Sequence, residues 1–194
     1  MEWVALLLFL TVIVVLLAGF PVAFTLGGVA LIFAAIGVAA GEFNEALLTG
    51  LPNRSLFKRH LVEAIETAIS NQMLVGLLFM DLDRFKQIND SYGHATGDQM
   101  LIEISRRLLK VFRQDDMVAR FGGDEFAVLL ENLHDRTEMT RLAEKALSAI
   151  QRPYEFGGRM FYSGPSIGIA VAPDDGDDPD RLIQLADAAM YAAK

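Results

Sequence analysis

The sequence predicts an α/β or α+β sandwich, in which helices pack on a central sheet, joined to an apolar N-terminal segment. Along residues 49–194, short apolar runs of strand length alternate with longer segments whose apolar residues recur every three or four positions. The first pattern is typical of buried strands and the second of amphipathic helices. Strands and helices that alternate in this way pack in layers around one sheet. The first 41 residues differ, since no charged residue lies between Glu2 and Glu42.

The charge-free segment predicts a two-helix transmembrane hairpin over residues 1–41. Two apolar runs, 3–18 and 22–40, flank Gly19-Phe20-Pro21. A membrane-spanning helix needs about 20 apolar residues, and a central Gly/Pro break favours a turn because proline has no backbone N–H to donate. The alternative is a signal peptide, but such a peptide has a basic n-region that this segment lacks. Lys and Arg occur only after the hairpin, so the positive-inside rule places the C-terminal part in the cytoplasm.

A short linker over 42–48 leads to residues 49–194, which have the composition of an acidic globular domain. They carry all 17 Lys and Arg residues and 22 of the 25 acidic residues, a net charge of −5. This balance argues against binding to duplex nucleic acid, which requires a basic surface, but it allows a nucleotide ligand. The sequence has no Cys, which excludes a disulfide framework and a thiolate metal site.

The first half of this domain predicts two helices and one buried strand. Asn53 is a suitable N-cap for a helix over 54–71, whose apolar residues share one face. A continuous apolar run over 74–80 predicts a strand that is buried on both faces. A polar, glycine-containing stretch follows it, and a second amphipathic helix is predicted over 98–112.

The second half predicts a hairpin, a third helix, a further strand and a last helix. The hairpin signal is Gly122-Gly123 between two short apolar runs. The predicted elements are strands over 117–121 and 125–130, a helix over 138–150 and a strand over 161–172. Asp178-Pro179 supplies an N-cap and a first-turn proline for the last helix.

Acidic side chains occur at two of the predicted strand ends. Asp81 and Asp83 follow the buried strand, and Asp124-Glu125 follows Gly122-Gly123 in the hairpin. Mg²⁺ prefers oxygen ligands and is commonly held by one or two carboxylates together with substrate phosphates. If the two strand ends meet, their carboxylates are placed to hold Mg²⁺ over a triphosphate. The alternative is that acidic residues and glycine pairs at turns are simply exposed to solvent. Either acidic strand end, considered alone, favours this alternative.

Six motifs follow one another along residues 48–194. They are LTGLPNR (48–54), FMDLDRFKQIND (79–90), GH and GD (93–94 and 97–98), RFGGDEF (120–126), SIGIA (166–170) and ADAAMYAAK (186–194). In content and order these motifs resemble the GGDEF family, the diguanylate cyclases. The resemblance implies a nucleotidyl-cyclase-like fold with a mostly antiparallel central sheet that is flanked by helices.

The resemblance also implies a metal site for Mg²⁺ or Mn²⁺. The implied ligands are the carboxylates of Asp81, Asp124 and Glu125 and the main-chain carbonyl of Leu82. Asp124, Glu125 and Lys86 are the implied catalytic residues. For Asp124 two roles stay open, a further metal ligand or the base for a 3′-hydroxyl.

The implied substrate is GTP. Asn89 and Asp98 are implied to read the guanine edge, a role that suits an acceptor-only carboxylate and an amide that both donates and accepts. The other implied substrate-binding residues are Phe85, Gly122, Gly123 and Lys194. The two glycines allow the backbone to approach phosphates closely, and Lys86 and Lys194 neutralise phosphate charge.

The implied reaction joins two GTP molecules into cyclic di-GMP and releases pyrophosphate. Each domain holds one GTP, so the implied active species is a homodimer.

Arg113 and Asp116 match the family's product-inhibition site, which binds cyclic di-GMP. The alternative is that they form a charged helix end, where the helix dipole favours Arg. The implied location is the bacterial inner membrane, attached through residues 3–40, and no nucleic acid is expected as a partner.

The chain departs from the family pattern at both ends of the domain. Ala46 stands where family members usually carry Asp, and the family continues past Lys194 with another phosphate-binding Arg, so the domain over 49–194 is expected to be C-terminally truncated. A catalytically weak or inactive module that binds GTP or cyclic di-GMP is therefore the alternative function.

Residues 1–47 resemble the first spans of the large permease subunit of TRAP dicarboxylate transporters, but two spans cannot form a transport pathway.

Overall fold

A four-stranded antiparallel sheet with helices on both faces forms the centre of the fold. The structure, a computed structural model, describes residues 48–194. Its elements are α1 (Arg54–Asn71), β1 (Leu74–Leu82), α2 (Phe85–Tyr92), α3 (His94–Val111), β2 (Met117–Gly122), β3 (Glu125–Leu133), α4 (Arg136–Ile150), β4 (Tyr154–Phe156), β5 (Arg159–Phe161), β6 (Pro165–Ala172) and α5 (Pro179–Ala192). The sheet order is β2-β3-β1-β6, and β4 and β5 form a separate hairpin. The predicted sandwich of helices on an antiparallel sheet is confirmed.

The central strand β1 is buried on both faces because its side chains alternate between two cores. Leu78 and Met80 enter the core that contains residues of α2, α3 and α4. Leu77 and Phe79 enter the core that contains residues of α1 and α5. Successive side chains of a strand point to opposite faces of the sheet. The continuous apolar run in the sequence therefore reflects a sheet that is covered by helices on both sides.

Two helix starts follow the predicted capping chemistry. The Asn53 side chain accepts a hydrogen bond from the Leu56 backbone N–H at 3.0 Å, and α1 begins at Arg54. The Asp178 side chain accepts from the Arg181 backbone N–H at 2.8 Å, with Pro179 in the first turn of α5. Each cap satisfies a backbone donor that lacks a partner within its own helix.

The sequence patterns did not predict α2 or the β4–β5 hairpin. Only Phe85 and Ile88 of α2 are buried, and two apolar residues do not make a recognisable helical period. The hairpin strands have three residues each, so the strand predicted over 161–172 is divided and its main part begins at Pro165. Helix α3 begins at His94 rather than at residue 98.

Helix α5 packs very closely on β6 because Gly168 has no side chain. A Cβ at this position would lie 1.9 Å from the Ala186 carbonyl oxygen and 2.3 Å from the Met190 backbone nitrogen. The contact involves backbone atoms, which cannot rotate away as a side chain can. Gly168 therefore fixes the position of α5 and of Lys194, which follows it.

Between residues 48 and 194, no helix is both long enough and apolar enough to cross a membrane. The transmembrane hairpin predicted over 1–41 lies outside the described residues and stays a prediction.

Candidate active site

Two carboxylates lie side by side at one end of the sheet. Asp81 on β1 pairs in register with Glu125, the first residue of β3. Directly opposed residues of antiparallel strands have Cβ atoms about 4.5–5.5 Å apart and share a face. That face is covered by α1 and α5, since Phe79 and Ala127, two positions away on the same strands, lie in that core. The two acidic strand ends therefore meet; Asp81, Asp124 and Glu125 are called the acidic corner below.

A tight turn carries the acidic corner, and Arg120 holds it. Gly122 pairs with Glu125 across the turn, and Gly123 has φ +49°, a left-handed conformation that favours glycine. The buried guanidinium of Arg120 donates two hydrogen bonds to the Gly123 carbonyl oxygen, at 3.1 Å from Nε and 2.7 Å from Nη2. Arg120 was not predicted as a site residue, although a charged residue in an apolar strand is a signal for such a role.

The acidic corner concentrates negative charge in a half-buried place. Burial raises the pKa of Asp124, and the charge of Asp81 raises it further. Burial likewise raises the pKa of Glu125, with additional repulsion from Asp81 and from Asp187 of α5. Both causes disfavour the charged form of a carboxyl group. A cation placed at the corner would relieve this repulsion.

Lys194 supplies one positive charge at the acidic corner. Its Nζ lies 2.8 Å from Asp81 Oδ1, and the Asp81 side chain is only 15% exposed. This hydrogen bond is the main reason that the pKa of Lys194 is raised. The ion pair joins the end of α5 to the end of β1.

The acidic corner fits a divalent cation that takes part of its ligands from a substrate. Within residues 48–194, no three His, Asp or Glu side chains converge in a metal-ligating group. Mg²⁺ commonly uses one or two protein carboxylates and completes its shell with phosphates and water. Asp81 and Glu125 provide such a pair, with an excess of negative charge. The Leu82 side chain is buried in the opposite core, so only its main chain is available to a ligand.

The connection from β1 to α2 is held by a neighbouring loop. The Ser166 hydroxyl donates to Asp83 Oδ1 at 2.9 Å, and the Asp83 backbone N–H donates to the Gly164 carbonyl at 2.8 Å. Arg84 then adopts φ +61°, which turns the chain directly into α2. For a residue other than glycine this conformation is uncommon.

The N-terminus of α2 has no side-chain cap within the described part of the chain. The first backbone N–H groups of a helix have no partner inside the helix, which is why such ends commonly bind anions. Lys86 is exposed in this first turn. The Phe85 side chain is 7% exposed and enters the core, which leaves its backbone as the part that faces a ligand.

The two residues implied to read guanine lie on facing parts of α2 and α3. Asn89 Oδ1 is buried and has no hydrogen-bond partner among residues 48–194. It packs against Gly97, where a Cβ would lie only 1.9 Å from it, and Asp98 follows Gly97 as an exposed residue. A buried acceptor without a partner costs about 1–3 kcal/mol and is unusual in a native structure. Because Oδ1 is buried against Gly97, it faces α3, and the contact joins α2 to α3.

Arg113 and Asp116 lie apart from the acidic corner, in the connection from α3 to β2. The Arg113 backbone N–H donates to Asp116 Oδ2 at 2.9 Å, so the two residues share one turn. The Arg113 guanidinium bonds Glu138 of α4 at 2.8 Å, and burial raises the pKa of Asp116. Strand β2 separates this turn from the turn at Gly122-Gly123.

The fold and the acidic corner together define a cyclase-like α+β domain, with an antiparallel sheet whose strand ends carry paired carboxylates. The chain belongs to the GGDEF family, since the family model described as "Diguanylate cyclase, GGDEF domain" matches residues 47–194.

Three comparisons with known proteins agree with this assignment. Diguanylate cyclase TpbB of Pseudomonas aeruginosa is 43% identical over 156 residues, which are 80% of this chain and 36% of TpbB. The solved structure of the TpbB GGDEF domain has a TM-score of 0.74 at 42% identity, covering 76% of this chain and 86% of that one. The GGDEF domain of DgcB from Caulobacter crescentus, solved in complex with c-di-GMP, has a TM-score of 0.69 at 28% identity and covers 75% of this chain and 86% of that one.

The chain thus spans about a third of the length of TpbB. The similarity of residues 1–47 to a transporter subunit is not shown by these matches.

Proposed function

We propose that the domain condenses two GTP molecules into cyclic di-GMP and releases pyrophosphate. The observation that carries the proposal is the register of β1 and β3, which sets Asp81 beside Glu125 next to a tight glycine turn. The similarity to diguanylate cyclase TpbB supports the same reaction.

Asn89 and Asp98 select guanine in this proposal. The side-chain amide of Asn89, which can both donate and accept, hydrogen-bonds the edge of the base. The exposed carboxylate of Asp98 accepts from N1–H and N2–H₂ of the same edge. Adenine lacks this pair of donors, so the two side chains favour GTP over ATP.

The phosphates of GTP lie over the turn and the start of α2 in this proposal. Gly122 and Gly123 carry no Cβ, and nothing lies within 4 Å of the position that a Cβ would take at Gly123. Backbone N–H groups at the α2 N-terminus bind phosphate oxygens, and Lys86 and Lys194 offset their charge.

Mg²⁺ or Mn²⁺, held by Asp81, Glu125 and the Leu82 carbonyl, would stabilise charge on the phosphates and lower the pKa of the attacking hydroxyl. Asp124 or Glu125 accepts the proton of the 3′-hydroxyl of one GTP. The hydroxyl oxygen bonds to the α-phosphorus of the other GTP, and the bond to pyrophosphate breaks. Each domain binds one GTP, so two domains face each other in a homodimer. The reaction occurs twice to close the ring.

Residues 1–41 anchor the protein in the bacterial inner membrane in this proposal, with the domain over 49–194 in the cytoplasm.

Arg113 and Asp116 bind the product, cyclic di-GMP, and limit its synthesis. The separation of their turn from the acidic corner supports a regulatory rather than a catalytic role.

The test is incubation of the full chain, in neutral detergent micelles, with GTP and Mg²⁺. We expect pyrophosphate and cyclic di-GMP in a ratio of two to one, and a loss of at least about a hundredfold in rate for Glu125→Gln. Glu131→Gln is the matched control, since Glu131 lies on the same strand with its pKa also raised by burial but far from the turn. GTP binding without product would overturn the proposal and identify the alternative, a non-catalytic module. A parent-like rate for Glu125→Gln would overturn the assigned mechanism.

A further inference from the structure

A second cleft lies between α3 and α4, on the opposite face of the sheet from the acidic corner. Its volume is about 780 Å³. Six cationic side chains line it: Arg106, Arg107, Lys110, Arg141, Lys145 and Arg152. We call this cleft the α3–α4 cleft. None of its lining residues belongs to the site proposed for GTP or to the pair proposed for the product.

The charge of the α3–α4 cleft is opposite to that of the domain. Six of the chain's 17 Lys and Arg residues line it, against two acidic residues, Glu103 and Glu144. The domain as a whole carries 22 acidic residues against those 17 cations. A concentration of cations on an acidic domain produces a local positive potential that attracts anions.

The side chain of Arg107 lines the cleft and is held in place by several contacts. Its guanidinium donates to Glu103 at 3.0 Å and to the carbonyl oxygens of Ala149 at 3.1 Å and Arg152 at 2.6 Å. Its Cζ also lies 4.0 Å from the centre of the Tyr154 ring. These contacts tie α3 to the end of α4 and hold the walls of the cleft in place.

The remaining cations have few partners. Glu103 is shared between Arg106 and Arg107, which leaves Glu144 as the second acid of the cleft. The side chains of Lys110, Arg141, Lys145 and Arg152 form no salt bridge or hydrogen bond with any residue between 48 and 194. Their ammonium and guanidinium donors are available to a ligand.

The spacing of these residues places like charges next to each other. Arg106 and Lys110 on α3 are four positions apart, as are Arg141 and Lys145 on α4. Like charges at this spacing destabilise a helix, and the two pairs line the same cleft. An anion with several charges would relieve both repulsions at once.

The lining indicates which anions fit. Among the described residues that line the cleft there is no aromatic side chain, and the apolar ones are Val111 and Ala149. The described lining residues offer neither an aromatic ring on which a base could stack nor a side-chain amide of the kind proposed to read guanine at Asn89. Phosphate groups are bound by arginine and lysine without such a platform.

We propose that the α3–α4 cleft is a second ligand site, which binds a condensed phosphate chain in solution. The linked phosphates span the cations of α3 and α4, and the ligand carries no base. The proposal does not depend on turnover of GTP.

The test is calorimetric titration of the full chain with tripolyphosphate, in neutral detergent micelles with a chelator to remove divalent cations. We expect Lys110→Gln/Lys145→Gln to weaken binding by about tenfold or more, since hydrogen bonds to charged groups are the strong ones. The matched control is Arg59→Gln/Arg181→Gln, which removes two exposed cations from α1 and α5 and should leave binding unchanged. Without ligand, the cleft variant should unfold at the parent temperature or slightly above it, because like charges have been removed.

Three results would overturn the proposal. The first is the lack of any difference in binding between the parent and the Lys110→Gln/Lys145→Gln variant, whether both bind equally or neither binds. The second is loss of binding in Lys86→Ala/Lys194→Ala, which would assign tripolyphosphate to the site proposed for GTP. The third is displacement of tripolyphosphate by equimolar cyclic di-GMP, which would make a base-bearing nucleotide the ligand. A failure of cyclic di-GMP synthesis, by contrast, affects only the function proposed above.

Discussion

The carboxylates of Asp81, Asp124 and Glu125 share one end of the sheet, where their charges repel and burial removes part of their hydration. Such an arrangement costs stability, because a buried carboxylate without a partner favours its neutral form. Lys194 offsets the charge of Asp81 but not that of the whole corner. The pKa values of Asp124 and Glu125 are raised, and carboxyl groups with raised pKa values are concentrated at functional sites.

The raised pKa of Glu125 gives a prediction about pH. The folded state keeps this proton to a higher pH than the unfolded state does, so stability decreases as pH rises from the ordinary glutamate pKa through the folded one. Glu125→Gln should therefore unfold at a higher temperature than the parent at pH 7.5, without GTP or metal. The difference should shrink as pH falls towards about 4.

Thermal unfolding followed by circular dichroism across this pH range measures the effect. Glu66→Gln, at an exposed position of α1, is the control and should show no such dependence. A lower unfolding temperature for Glu125→Gln at pH 7.5 would contradict the assigned repulsion.

Asp98 gives a prediction about base selectivity. Its removal leaves guanine donors without an acceptor, at a cost of about 1–3 kcal/mol, which is roughly tenfold to a hundredfold in affinity. Asp98→Ala should weaken GTP binding by this factor and reduce the preference for GTP over ATP. Asp90→Ala, at a neighbouring position of α2, is the matched control. Equal losses for both nucleotides would indicate a role other than base reading.

Among the secondary-structure elements, the contact between β6 and α5 decides where Lys194 lies. The helix approaches the strand so closely that only glycine fits at position 168. A larger residue must push α5 away from the sheet, and Lys194 moves with it. The ion pair with Asp81 at the end of β1 depends on this packing.

Gly168→Ala should therefore destabilise the domain by about 1–3 kcal/mol or more, the range typical of overpacked cores. It should also weaken binding of GTP, because Lys194 is displaced. Gly164→Ala is the matched control, since a Cβ there meets Gln151 at 3.6 Å, an ordinary contact distance. Denaturant unfolding measures the free energy of unfolding of both variants. If Gly168→Ala is as stable as Gly164→Ala, then α5 accommodates the added methyl group without loss of stability and the prediction is wrong.

The whole chain joins two segments of different chemistry. The first 41 residues carry one charged residue, Glu2, whereas residues 49–194 are an acidic domain with 17 cations. One consequence concerns location, since the apolar segment is expected to hold the protein in a membrane. The other concerns assembly, since the proposed synthesis of cyclic di-GMP from two GTP molecules would need two domains that face each other.

Fractionation of cells that produce the full chain tests the expected location. We expect the protein in the membrane fraction, released by a mild detergent but not by high salt, since burial of apolar side chains is not screened by ions. Residues 49–194 produced alone serve as the control and should appear in the soluble fraction. Recovery of the full chain in the soluble fraction without detergent would show that the hairpin interpretation is wrong.

Several features of this protein were determined by the sequence alone, because their signals are local. The start of α1 at Arg54 follows from the cap at Asn53, and β1 follows from its apolar run. The class of fold follows from the alternation of such elements along the chain. The ordered motifs also identified the family, since each motif is a short run of adjacent residues.

Tertiary structure decided the site. Asp81 and Glu125 are distant in sequence, and only the register of β1 and β3 places them side by side. Helix α2 has two buried apolar residues, so its formation depends on packing against α3 rather than on a pattern of its own. Asn89 Oδ1 is buried against α3, with no partner among residues 48–194, because Gly97 lets the two helices approach. The two helices that line the α3–α4 cleft likewise meet only in the folded chain. These are contacts between distant segments, and their free energy is gained only when the whole domain packs.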